Sequence, residues 1–460
     1  MNPTIFRKYD IRGIAADDLT QEVVERIGSA YGTMLIQTLG HRAAVAVGRD
    51  ARESSDRLFE ALSRGLHRVG IDVVELGMVP TPLAYFAFFS SDDIEGAIQI
   101  TGSHNPAEYN GFKMMIGKQT LHGSYIQDLY KIAKGEQFEL TDAHGQTRKM
   151  DDIIERYTQW VVEHIEPGER ALKVVIDSGN GVGGLVAPEL VRRRFKGEVI
   201  ELFSEPDASF PNHHPDPTVE KNLQHLIEAV REHGADLGVA YDGDGDRIGV
   251  VDERGEIIWG DRLLILLSRD VLGNHPGATI IGEVKCSQTL FDDIEKHGGV
   301  PVMSAVGHSL IKAKIKETGA HLAGEMSGHI FFNDRFFGFD DAVYATCRVL
   351  EILSSTDQTL SQLMSDVPQT FATPEIRQDC PESKKFLIPP TVAQVFADRF
   401  ETNTIDGVRV RFEHGWGLVR ASNTQPVLVI RTEATSPELR DQYLQQLQDA
   451  IAQASAQLDV

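Results

Sequence analysis

Cysteine is scarce: the 460-residue chain holds three, Cys286, Cys347 and Cys380, far apart and odd in number. No CxxC pair occurs, so neither a disulfide scaffold nor a cysteine-based zinc site is supported. Long apolar runs are missing too; Leu263 to Leu267 is far too short to span a bilayer. The opening MNPTIFRKYDIRG has no apolar stretch of signal-peptide length, so a soluble cytoplasmic protein is expected. Basic residues are outnumbered, 45 against 68 acidic ones, for a formal net charge of −23. That balance argues against general binding to nucleic acid or to an anionic membrane, both of which need basic surface. An anionic small substrate stays compatible, provided that cations cluster locally.

What is present is ordinary globular composition, 41% hydrophobic and 25% charged. At about 150 residues per domain the length suggests three domains or four small ones. Four times an apolar run leads into a polar or glycine-rich turn: Ala43 to Arg52, Lys173 to Gly181, Ala235 to Arg247, and Ala278 to Lys285. Each reads as a buried strand, and helical patterns lie between them. Asp56 to Gly70, for example, puts Leu58, Leu62, Leu66 and Val69 on one face. This alternation predicts βαβ units with largely parallel sheets and ligands at the carboxyl ends of strands. The C-terminal part changes character. Asp406-Gly407 makes a turn, strands surround Ser422 to Pro426, and a last helix starts with Ser436 as N-cap and Pro437 at its first position. Boundaries placed in the polar stretches give domains 1–149, 150–256, 257–368 and 369–460.

Four segments carry chemistry. In YDGDGDR, Asp242, Asp244 and Asp246 alternate with Gly243 and Gly245 after a strand-like run. Three close carboxylates repel unless a cation neutralises them, and hard divalent ions take oxygen ligands. An EF-hand is rejected, because Arg247 stands where its loop needs glycine and the flanks are strand-like. The rival reading is a solvated acidic turn. In GAIQITGSHNP, Ser103 is a possible nucleophile with no GxSxG around it, and His104 is only its chain neighbour. Alone, this loop reads as a structural turn; with a metal and a phosphate it would supply the hydroxyl of phosphoryl transfer, and Lys113 a nearby cation. In AGEMSGH, an extended chain would point Glu325, Ser327 and His329 to one face, a carboxylate beside a hydroxyl suiting vicinal sugar hydroxyls. An exposed strand edge is the competing reading. In RASNTQP, Arg420 with hydroxyls, an amide and backbone N–H groups can grip a phosphate, or simply close a hairpin. His213 and His214 suit a metal pair less well than a plain proline-rich loop.

Together FRKYDIRG, TGSHNP, DGDGDR, GEMSGH and RASNTQP, in that order along the chain, closely resemble the α-D-phosphohexomutase superfamily, specifically its bacterial phosphomannomutase/phosphoglucomutase family. The resemblance implies three mixed-sheet α/β domains and a smaller C-terminal α+β domain, TATA-binding-protein-like, around a central cleft. It implies an isomerase of carbohydrate metabolism that interconverts hexose 1-phosphates and hexose 6-phosphates of mannose and glucose through a 1,6-bisphosphate. Ser103 would be the phosphorylated serine and, with Asp242, Asp244 and Asp246, would hold one Mg²⁺. Arg12, His104, Lys113, Arg247, His308 and His329 would serve catalysis. Arg7, Tyr9, Lys285, Glu325, Ser327, Arg420, Ser422, Asn423 and Thr424 would contact substrate. Glucose 1,6-bisphosphate would act as activator, on a monomer. Alternatives are phosphoglucosamine mutase within the superfamily and a metal-dependent sugar phosphatase outside it.

Overall fold

Strands that are rich in apolar residues and buried along nearly their whole length belong inside a sheet covered by helices. Three such runs, Ile94–Ile100, Leu237–Tyr241 and Leu322–Gly324, lie in the interior of three separate sheets of seven, five and four strands. The computed structural model describes residues 1–422 and 425–458. Each of the three strands pairs in parallel with a neighbour, Ala44–Arg49, Leu172–Asp177 and Thr279–Glu283 respectively. Each also pairs antiparallel with the strand that follows it in the chain: Tyr109–Ile116, Ile248–Asp252 and Ile330–Phe332. The sheets are therefore mixed rather than largely parallel. The motif loops at 101–108, 242–247 and 325–329 are the connections of these three hairpins, at the carboxyl ends of the central strands. One topology, used three times, brings three loops to one cleft.

The fourth unit is a six-stranded antiparallel sheet containing Val408–Phe412, Gly415–Ala421 and Val427–Ala434. Helix Pro437–Gln457 covers it, with Ser436 accepting the N–H of Leu439 at its N-cap. The segment from Arg409 to Ser422, on the N-terminal side of that loop, is two strands joined by a turn at Glu413-His414.

The helix Thr81–Phe89, TPLAYFAFF, is apolar all round and is correspondingly buried. Phe86 meets Tyr157 edge-on at 5.3 Å, and Phe89 stacks on Phe337 at 5.1 Å, so one helix of the first unit packs into the second and third. A single apolar core runs through all three. The fourth unit has a core of its own and meets the third through a small cluster of Val284, Trp416 and Leu418. All three cysteines are free and buried. Among the described residues no helix is long and apolar enough to cross a membrane.

Candidate active site

The first loop leaves its strand with Ser103 at φ +48°, the left-handed region that side chains other than glycine seldom adopt. The Ser103 N–H donates to Thr101 Oγ1 at 2.7 Å. The hydroxyl is aimed across the domain boundary and donates to Asp242 Oδ2 at 2.8 Å, with His104 Nδ1 at 3.1 Å on its other side. Serine and aspartate loop thus meet through the atoms that phosphoryl transfer would use.

Asp242, Asp244 and Asp246 are fully buried, and one carboxylate oxygen of each lies within 4.8 Å of the others. The glycine-spaced turn lets Asp242 Oδ1 accept the N–H groups of Asp246 and Arg247 at 3.1 and 3.2 Å. Thr81 Oγ1 donates to Asp244 Oδ2 at 2.5 Å. Lys113 Nζ reaches the same oxygen at 2.6 Å and also bonds Asp246. Burial, then the charges of Asp244 and Asp246, push Asp242 well above the usual carboxylate range. Asp244 is held down, against burial, chiefly by Lys113. One lysine therefore does not neutralise three carboxylates. Asp244 Oδ1 and Asp246 Oδ1 are buried and lack a hydrogen-bond partner among the described residues. Excess buried negative charge and orphaned oxygens fit a divalent cation in this loop.

The third loop departs from the sequence expectation. Residues 325–329 form a tight hairpin turn, not an extended run, closed by the Glu325 N–H donating to the His329 carbonyl at 2.9 Å. Glu325 Oε1 accepts the Gly307 N–H at 2.7 Å, just ahead of His308, and Ser327 stays half-buried. His329 takes a hydrogen bond from Arg247 Nε at 3.0 Å on Nε2 and faces Asp340 Oδ2 at 3.1 Å through Nδ1. His308 stacks beside it, 5.6 Å between ring centres, with its Nδ1 at 3.6 Å from the same Asp340 oxygen. Lys312 bonds the other Asp340 oxygen at 2.8 Å. Burial first, and then the charge of Lys312, hold His308 well below the usual histidine range. Burial likewise lowers His104, helped by Arg247 and Arg12.

Around this centre Arg12 Nη1 donates to the Gly102 carbonyl at 2.5 Å and to Asn105 at 2.8 Å. Tyr9 donates to the Val306 carbonyl at 2.7 Å, tying the first unit to the third, while Arg7 lies half-buried in the adjacent turn. Lys285 is mostly buried and faces Glu375 at 3.8 Å. From the fourth unit, Arg420 pairs with Asp406 at 3.0 Å, and Asp406 accepts the Val306 N–H at 3.1 Å. Ser422 Oγ accepts the Gln425 N–H at 3.1 Å. Asn423 and Thr424 fall outside the described residues. His213 and His214 point apart, His213 to Asp177 and His214 to the His104 carbonyl, which makes them loop supports rather than a metal pair.

Sequence reasoning missed Asp340, Lys312 and Thr81. Asp340 had a signal, a paired acid inside the apolar run Phe336 to Tyr344; Lys312 and Thr81 had none.

Three α/β units of one topology, converging on a serine, three aspartates and two imidazoles, with an antiparallel fourth packed on the third, define the four-domain phosphohexomutase architecture. Family models match in four consecutive pieces of phosphoglucomutase/phosphomannomutase: alpha/beta/alpha domain I over residues 3–140, domain II over 154–255, domain III over 259–371, and the C-terminal domain over 375–452. The chain belongs to the phosphoglucomutase/phosphomannomutase family. It is 48% identical to a phosphomannomutase/phosphoglucomutase of Pseudomonas putida, over 97% of this chain and 94% of that one. It is 46% identical to a phosphoglucomutase of Neisseria meningitidis, over 94% and 93%. A crystal structure of a phosphoglucomutase/phosphomannomutase family protein from Burkholderia thailandensis superposes with a TM-score of 0.92 at 42% identity, covering 99% of this chain and 98% of that one.

Proposed function

We propose that this protein interconverts hexose 1-phosphates and hexose 6-phosphates of mannose and glucose, with Ser103 as phosphoryl carrier. The observation that carries the reading is the Ser103 hydroxyl, held by a strained turn against the aspartate loop. Phosphoserine 103 donates to a free hydroxyl of the bound sugar phosphate: the P–Oγ bond breaks, a P–O bond to the sugar forms, and the sugar hydroxyl proton passes to a base. The resulting 1,6-bisphosphate turns over in the cleft and returns its other phosphoryl group to Ser103. Asp242, Asp244 and Asp246, with the phosphoserine oxygens, would hold one Mg²⁺, which offsets charge on the transferring group when bound. Lys113, kept cationic by Asp244 and Asp246 although burial opposes its charge, adds to that offset and is a poor base. His308 and His104 are held neutral, and His329 accepts from Arg247 through Nε2 while its Nδ1 faces Asp340 at 3.1 Å. Among the candidates for the base, the histidines are favoured over Lys113.

Glu325 and Ser327 would bind the ring hydroxyls common to both orientations, with Arg7 and Tyr9 bordering the sugar. Arg420, Ser422, Asn423 and Thr424 would grip the phosphate that is not reacting, and Arg12, Arg247 and Lys285 would supply further positive charge. Glucose 1,6-bisphosphate would act as activator by recharging Ser103. The protein would act as a monomer, and free buried cysteines suit a reducing cytoplasm. Relatives at 46–48% identity carry mannose or glucose names, which favours that branch over phosphoglucosamine mutase. Incubation with glucose 1,6-bisphosphate should place one phosphate on Ser103, read by peptide mass spectrometry. Ser103→Ala should fold, take no phosphate and lose mutase turnover; a fully active variant would reject the phosphoserine reading.

A further inference from the structure

The turn that carries Ser103 is held from beneath by two residues of the neighbouring strand end. Asp50 and Arg52 follow strand Ala44–Arg49, which runs parallel to Ile94–Ile100, and both side chains are buried. Arg52 spends every N–H of its guanidinium on protein. Nε donates to Asp50 Oδ2 at 3.0 Å. Nη1 donates to the carbonyls of Pro106 at 2.5 Å and Tyr109 at 2.9 Å, and Nη2 to those of Ser103 at 2.9 Å and Asn105 at 2.6 Å. A guanidinium offers five donors, so none is left over for a ligand. Asp50 grips the incoming side of the same turn, accepting from Thr101 Oγ1 at 2.8 Å and from the Gly102 N–H at 3.0 Å. Thr101 in turn accepts the Ser103 N–H. Gly102 leaves the room that this requires, since a Cβ there would lie 2.2 Å from Arg52 Cζ.

We propose that Asp50 and Arg52 are positioning residues that hold phosphoserine 103 in line with the sugar hydroxyl and away from water. The inference rests on Ser103 being the phosphoryl carrier. The pair touches no substrate; it acts by fixing a backbone that would otherwise relax from φ +48°. Lysine cannot replace Arg52, because one ammonium cannot span four carbonyls and a carboxylate arranged as a planar fork. When the serine wanders, water competes with the sugar. The P–Oγ bond then breaks to a water oxygen, one water proton ends on Oγ, and inorganic phosphate leaves.

The test charges wild type, Arg52→Lys and Asp50→Asn with glucose 1,6-bisphosphate, confirms folding by circular dichroism, and follows glucose 6-phosphate and inorganic phosphate together from glucose 1-phosphate. Misplacement on the ångström scale lowers turnover by about 100-fold. A kcat reduced to that extent with little change in KM, and a several-fold larger share of phosphate released to water, is the expected result for either folded variant. A folded Arg52→Lys or Asp50→Asn with wild-type kcat and wild-type partition overturns the inference. So does a loss of activity that matches the loss of folded protein with the partition unchanged. If wild type itself takes no phosphate on Ser103, the failure belongs to the reading of the serine instead.

Discussion

At Ser103 the backbone sits in a conformation costing of order 1–3 kcal/mol, and the surrounding hydrogen bonds hold it there. That strain aims the hydroxyl at Asp242 and is hard to read from TGSHNP, because φ depends on partners distant in sequence. A second residue-scale consequence lies next to the imidazoles. Asp341 is pushed up to about 7, mainly by burial, although it accepts the Tyr344 N–H at 2.8 Å and the Tyr157 O–H at 2.7 Å. The folded protein therefore binds a proton there that the unfolded chain releases near 3.8. Stability from this group is present at low pH and falls as pH rises from about 4 to 7. Asp341→Asn keeps the size and the N-cap acceptor without the charge. Its melting temperature, relative to wild type, should be higher at pH 8 than at pH 4.5; a difference independent of pH would contradict the assignment.

The hairpin loops are the elements that make the cleft, and their sequences were more legible than their shapes. Alternating Asp and Gly announced a turn of converging carboxylates, and that turn is present. The alternation of Glu325, Ser327 and His329 in GEMSGH suits an extended chain, yet the chain folds back at Gly328. Gly328 has φ +90°, and a Cβ there would stand 2.3 Å from the Ile248 carbonyl. Contact with another domain's strand decided this shape, and no local pattern carries that information. Gly328→Ala should destabilise the protein by about 1–3 kcal/mol and lower turnover, since both Glu325 and His329 hang on the turn. A variant with wild-type melting temperature and turnover would show that the turn is not so constrained.

Across the whole molecule, a net charge of −23 leaves the anionic substrate dependent on a few local cations, and the cleft gathers Arg12, Lys113 and Arg247 close to Ser103. The alternation of buried strands with helices and the order of the motifs along the chain are readable in the sequence, whereas length alone left three units or four open and the family resemblance supplied the fourth. The continuity of one apolar core through three units is not readable there, because it depends on the fully apolar helix Thr81–Phe89 inserting between the other two. The fourth unit stands apart, joined by little apolar surface, so relative motion is the default expectation. Arg409 is one polar tie between the fourth unit and the third: packed on Trp416 of its own unit at 3.8 Å, it donates to the Val284 and Cys286 carbonyls of the third at 2.5 and 2.8 Å, on either side of Lys285. Arg409→Ala should loosen that tie, raising the radius of gyration of the substrate-free protein in small-angle scattering and raising KM. Unchanged scattering and KM would show that the tie lies elsewhere.

The most direct test supplies mannose 1-phosphate and glucose 1-phosphate separately, with Mg²⁺ and a trace of glucose 1,6-bisphosphate, and follows each 6-phosphate and free phosphate together. Comparable formation of both 6-phosphates, with little free phosphate, is the expected result. Free phosphate without 6-phosphate would contradict the account and make the serine and aspartate loops the site of a phosphatase.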